Sequence, residues 1–148
     1  MIPNRYHLWA MLTINQKADY AARILLHLAM QPPGTTITAR EAAQARLIPY
    51  ALARRLFSLL ANAGFLKAHR GKGGGFSLAR PPAEINLLEV VEAVEGPIAL
   101  NRCVVEPEDC PFSPDCPVHE AWVKARDVLR GYLSQVTFQQ LAERATAS

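Results

Sequence analysis

Four side chains that bind soft or borderline metals fall within seventeen residues: Cys103, Cys110, Cys116 and His119, in the pattern C-x6-C-x5-C-x2-H. These are all three cysteines of the chain. Pro107, Pro111, Pro114 and Pro117 interrupt the segment and Pro97 lies just upstream. Prolines keep such a stretch from running on as helix, so it needs another source of order, and a metal centre supplies one. Structural zinc sites bring cysteines in closer pairs, whereas wider gaps suit an iron–sulfur cluster, which spans more volume than one ion. Zinc, a metal-free thiol switch, or three unrelated thiols with a surface histidine are the alternatives. A Cys–His hydrolase would need an orienting Asn or Asp and an oxyanion pocket, and no feature supplies them, so an enzyme is not expected.

The elements around this segment follow from periodicity. Tyr20, Ile24, Leu25, Leu28 and Ala29 form a helical stripe over residues 17–30, ended by Gln31-Pro32-Pro33-Gly34. Thr38 with Glu41 three residues on reads as a capping box for a short helix ending near Arg46. Pro49 suits the start of a third helix running to about Ala63, with Leu52, Leu56, Leu59 and Leu60 on one side and Gly64 as its stop. Two short strands, Phe65–Arg70 and Phe76–Arg80, flank Gly71-Lys72-Gly73-Gly74-Gly75 and make a hairpin. That glycine run is not a nucleotide cradle: it lacks the P-loop spacing, and Phe76 stands where the last glycine of G-x-G-x-x-G would fall. Leu87, Leu88, Val91 and Val94 give a short helix ending at Gly96-Pro97. From His119 to Leu133, Trp122, Ala125, Val128, Leu129, Tyr132 and Leu133 recur at helical spacing.

Charge is distributed unevenly. Residues 40–82 hold eight Lys/Arg against Glu41 alone, a net of +7, whereas residues 83–120 hold nine acids against Arg102 alone, a net of −8; the whole chain is +3. The basic block coincides with the capped helix, turn, helix and hairpin, the order of a winged helix-turn-helix, so its expected partner is double-stranded DNA rather than solvent. The candidate DNA contacts are Thr38, Tyr50, Arg54, Arg55 and Ser58 on the helices and Arg70 and Lys72 in the wing.

With 148 residues, half apolar and a fifth charged, the chain is one ordinary globular domain plus an appendage, neither disordered nor a disulfide scaffold. Its longest apolar stretch, Ile24–Met30, is short and contains His27, so no membrane span is expected. The first ten residues lack the apolar core of a secretory signal, and the odd cysteine count fits a cytoplasmic protein. The expected fold is mainly α with a small β-hairpin wing. It divides into an extension (1–10), a winged helix-turn-helix (11–82), a connecting helix (83–100), a cysteine-rich loop (101–119) and a dimerisation helix with C-terminal tail (120–148). The last assignment reflects a stripe too long for one small domain to cover, which a twin helix in a homodimer would bury.

These residues resemble a known family. Asp19-Tyr20-Ala21, Leu56-Phe57, Ala63-Gly64-Phe65-Leu66, Arg70-Gly71-Lys72-Gly73-Gly74-Gly75-Phe76, Leu88-Glu89-Val90-Val91 and the three-cysteine loop before a long helix are similar to the bacterial winged-helix repressors that sense iron–sulfur status, nitric oxide, iron or redox state. The family includes IscR, NsrR, RirA and RsrR, and the resemblance covers roughly residues 12–142, with members usually starting near Met11. It implies a homodimeric, cluster-bearing repressor bound to a DNA operator, with no small-molecule substrate. Cys103, Cys110 and Cys116 match the cysteine ligands. The fourth ligand in IscR-like members corresponds to His119; in NsrR-like members it is a carboxylate of the other subunit, corresponding to Asp19. RsrR-like members add a histidine where this chain has Arg23, and the first cysteine gap is one residue longer here than in similar members. The favoured cofactor is a [2Fe–2S] cluster on three cysteines and His119, with [4Fe–4S] completed by Asp19 as the rival. Cluster state would then bias how the loop and dimer helix space two recognition helices.

Overall fold

The fold begins where Asn15 accepts the Lys17 N–H at 2.8 Å, capping helix α1 (Gln16–Ala29). The protein is described from a computed structural model over residues 14–147; the expected extension at residues 1–10 lies outside the described residues. Helix α1 buries Ala18, Ala21, Ile24, Leu25 and Leu28, with Tyr20 and Ala29 at the margin of that face. Helix α2 (Ala39–Arg46) starts with the expected capping box, in which Glu41 N–H donates to Thr38 Oγ1 at 3.1 Å and Thr38 N–H to Glu41 Oε2 at 2.7 Å. It ends at Leu47, whose left-handed backbone (φ 54°) turns the chain so that Ile48 is buried and donates to the Ala43 carbonyl at 2.9 Å.

Helix α3 (Tyr50–Asn62) follows Pro49 and closes on a Schellman turn: Phe65 N–H donates to Leu60 O at 2.9 Å and Gly64 N–H to Ala61 O at 3.1 Å. Its buried face is Ala53, Leu56, Phe57 and Leu60. The expected Leu52 and Leu59 are only half-buried at the margin of that face, because Phe57 and the small Ala53 take its centre. Strands β1 (Leu66–His69) and β2 (Gly75–Leu78) pair antiparallel, Leu66 opposite Leu78. Ile37 adds a one-residue bridge, exchanging two 2.8 Å hydrogen bonds with Phe76. A Cβ on Gly75 would sit 2.7 Å from the Ile37 carbonyl oxygen and one on Gly74 would sit 2.6 Å from that of His69, so these two glycines are required by close backbone approach. The Phe57 and Phe76 rings, 4.8 Å apart, tie α3 to the hairpin.

Helix α4 (Leu87–Glu95), with its own capping box from Asn86 and Glu89, packs on α1. The cysteine-rich segment is not a plain loop: it contains a one-turn helix α5 (Arg102–Val105) and two 3-10 turns, Pro107–Asp109 and Ser113–Asp115. Each 3-10 turn takes a proline in its first two positions, where the missing N–H costs nothing. Helix α6 (Pro117–Gln135) is longer than expected at both ends, and Pro117 occupies its first position. It is clamped to α4 by Arg130, which donates to both Glu92 oxygens at 2.8 and 3.2 Å. These bonds hold the Glu92 carboxyl below its usual range.

The expected C-terminal tail is instead a helix, α7 (Phe138–Thr146), capped by Thr137 and Gln140. Phe138 is 1% exposed, and α7 packs back on α1. Among the described residues no helix is long and apolar enough to cross a membrane.

Candidate metal centre and nucleic-acid interface

Cys103 sits in α5, Cys110 follows the first 3-10 turn, Cys116 caps α6 and His119 lies in the first turn of α6. Arg102 brackets the loop by donating to Glu106 at 3.2 Å and Asp109 at 2.7 Å. All three thiols are unbridged and half-buried. His119 Nδ1 lies 3.2 Å from Cys103 Sγ, which joins the two ends of the segment. The three cysteines and His119 line one cavity of about 490 Å³, shared with Trp122.

The Cys110 thiol is pulled below the ordinary thiol range, chiefly by the Phe112 N–H and then by the Ser113 hydroxyl and N–H. Ser113 is 5% exposed, and its hydroxyl has no hydrogen-bond partner of normal geometry although it stands near enough to Cys110 to favour the thiolate. A buried hydroxyl beside a thiol whose ionisation is eased fits a site where that sulfur carries negative charge, as a metal-bound thiolate does. Among the described residues no three His, Cys, Asp or Glu side chains gather closely enough to hold a single ion. The three thiols and the imidazole line a common cavity without converging on a point. Asp19 is elsewhere, in the first turn of α1, paired with Arg23 at 2.8 Å and absent from the lining of this cavity.

The second surface is basic. Ala51, Arg54, Arg55, Ser58 and Asn62 follow one another along the outer face of α3 and line an open groove with Ala93 of α4. Arg54, Arg55 and Ser58 are exposed, as are Arg70 and Lys72 at the hairpin tip. The hairpin is pinned behind that tip by His69 Nε2 and Ser77 Oγ, 2.7 Å apart. The Thr38 hydroxyl is committed to the cap, where it also donates to Glu41 Oε2 at 2.9 Å.

Two of the eight bases in residues 40–82 are internal: Arg46 donates to His27 Nδ1 and Met30 Sδ, and Arg80 pairs with Glu89. The other six, Arg40, Arg54, Arg55, Lys67, Arg70 and Lys72, make no ion pair among the described residues. By contrast, Asp19–Arg23 and Glu120–Lys124 form helix-spaced ion pairs on α1 and α6. Arg40 was not among the expected contacts, yet it lies over the Tyr50 ring with its guanidinium carbon 4.4 Å from the centroid. The two lie ten positions apart in sequence, and the turn between α2 and α3 brings them together.

Residues 14–144 match the Rrf2 family, described as iron-dependent transcriptional regulators. A protein of Mycobacterium tuberculosis named as an HTH-type transcriptional regulator is 31% identical over 130 residues, 87% of this chain and 80% of that one. The regulator NsrR of Shouchella clausii is 33% identical over 119 residues, 77% of this chain and 80% of its own. Among solved structures, CymR of Bacillus subtilis, described as a global cysteine regulator, superimposes with a TM-score of 0.75 at 28% identity, covering 90% of this chain and 98% of that one. The first two are named as transcriptional regulators and CymR as a cysteine regulator, and none of the three is named for an enzymatic reaction. A winged helix-turn-helix with an unpaired basic face, matched almost end to end by such proteins, belongs to the Rrf2 family of transcriptional regulators.

Proposed function

We propose that this regulator is a homodimeric repressor whose affinity for its DNA operator is set by an iron–sulfur cluster held by Cys103, Cys110, Cys116 and His119, of [2Fe–2S] type. The observation that carries the reading is the shared cavity: all three thiols and the imidazole line it, with His119 Nδ1 3.2 Å from Cys103 Sγ. When bound, such a cluster supplies a redox-active centre that oxidants or nitric oxide can alter. The chain's part is to join that site to the DNA face. Cys103 belongs to α5, while Cys116 and His119 belong to the start of α6, so ligation fixes α5 against α6. The Glu92–Arg130 clamp then carries the position of α6 to α4, which packs on α1 of the DNA-binding core. Affinity changes only to the extent that the two loop states differ in their contacts with DNA. A [4Fe–4S] cluster completed by Asp19 of the partner subunit is the rival form.

The test is anaerobic purification followed by an absorption spectrum with iron, sulfide and zinc assays on the same sample. About two irons and two sulfides per chain are expected, and about four of each would favour the rival form. His119→Ala lowers occupancy or shifts the visible bands. An unchanged spectrum in that variant, with loss of colour in Asp19→Ala, transfers the fourth ligand to Asp19. A colourless protein with about one zinc per chain removes the cluster.

A second reading, a metal-free thiol switch, is favoured by the depressed Cys110 thiol alone. It requires DNA binding to survive chelation and to be lost on mild oxidation.

A further inference from the structure

Arg40 and Arg54 both lie over the Tyr50 ring, their guanidinium carbons 4.4 and 5.9 Å from its centroid. Neither has an acidic partner among the described residues. The carboxylate adjacent in sequence to Arg40, that of Glu41, is committed to the Thr38 N–H and hydroxyl at 2.7 and 2.9 Å. Two like charges sharing one ring repel, and an exposed cation–π contact returns only a little of that cost. Tyr50 is itself 39% exposed, so the cluster covers no core.

Stacking occupies the face of a guanidinium and leaves its N–H edge free, which is the edge that forks onto phosphate oxygens. We propose that Arg40, on α2 and outside the recognition helix, is a DNA-phosphate contact, and that the Tyr50 ring is the strut that presents Arg40 and Arg54 together to the duplex backbone. The ligand chemistry is the phosphodiester, read without regard to base. Tyr50 is thus a positioning residue acting through its ring, not through its hydroxyl. Its place in the fold suits that role, since it opens α3 four residues before Arg54, and Arg40 is the second residue of α2. In helix-turn-helix proteins the helix preceding the recognition helix crosses the backbone. The inference rests on the DNA-binding reading and names two of its phosphate-facing parts.

The experiment titrates a fluorescent mixed-sequence DNA duplex with the full chain at several salt concentrations, so no operator need be known. Arg40→Ala is expected to weaken binding about three- to tenfold near 0.1 M salt and to flatten the log–log salt slope by about 0.9, the share of one phosphate. Tyr50→Phe, which keeps the ring, loses much less affinity than Tyr50→Ala. Tyr50→Ala loses at least as much as Arg40→Ala, and adding Arg40→Ala to Tyr50→Ala costs less than it does alone. Arg40→Lys, which keeps the charge without the stacked plane, retains most of the slope and guards against a folding defect in Arg40→Ala. An Arg40→Ala slope equal to wild type overturns the phosphate contact. A Tyr50→Phe loss as large as that of Tyr50→Ala overturns the strut. A wild-type chain with no salt-dependent affinity for duplex overturns the DNA reading itself, an outcome distinct from the first two because no variant is needed to see it.

Discussion

His27 is a half-buried imidazole at the end of α1 that accepts the Arg46 Nε–H on Nδ1 at 3.3 Å, so it works in the neutral form with its own proton on Nε2. Burial first, and the Arg46 charge second, push its pKa below the ordinary 6.5; Glu41 opposes them weakly. With the folded value depressed, the unfolded chain binds the proton more readily. The contribution of this contact is therefore complete above the unfolded value and is lost as pH falls through 6.5 toward the folded one. Urea unfolding at about pH 7.5 and about pH 5.5 is expected to show a lower midpoint in acid, and His27→Gln to shrink that difference. An undiminished acid loss in the variant assigns it to other groups. Residue types were legible where the chemistry is local: three cysteines and a histidine within one short segment announce a shared site before any fold is known. Arg46–His27 and Arg40–Tyr50 were not, because each pair spans two helices and exists only at their crossing angle.

Among elements, those with self-contained signals were read correctly. Thr38 with Glu41, Gly64 behind α3, and the glycines between two short apolar runs each determine their own local geometry. Helix α7 was missed because its nine residues offer few apolar positions, with Phe138 and Ala142 alone fully buried, and because the face that receives it belongs to α1, more than a hundred residues earlier. The turn between α2 and α3 hid a different feature. Leu47 holds φ 54° with its side chain 85% exposed, so it bears left-handed strain and gains no burial in return. A non-glycine residue there costs about 1–2 kcal/mol, part of which glycine gives back as unfolded-state entropy. Leu47→Gly is accordingly expected to stabilise the fold by about 0.5–1 kcal/mol in equilibrium denaturation, with an unchanged denaturant slope. A destabilised variant would mean that the Leu47 side chain makes a contact in solution that this conformation lacks.

At the scale of the molecule, α6 is the element without a place in the single chain. It is nineteen residues long and has no buried residue, while Val118, Trp122, Val128 and Tyr132 stand 57%, 39%, 74% and 65% exposed. Its other side is already used, through Arg130, to hold α4. A second copy presenting the same stripe would cover these side chains by symmetry and would place two recognition helices on one duplex, so that the second half-site binds as an intramolecular step. Val128 is the sharpest probe, since its exposure means that a charge there disturbs little within the chain. Val128→Glu is expected to sediment as a monomer at concentrations where the wild type is a dimer, to keep its thermal transition within a few degrees once association is allowed for, and to bind a two-half-site operator roughly a hundredfold more weakly. The mass measurement decides whether a second copy covers the stripe. If Val128→Glu keeps the wild-type mass, α6 is not the dimer seam, and the proposed coupling from the cysteine loop to the DNA face has to run within each chain, through Arg130 and α4 alone.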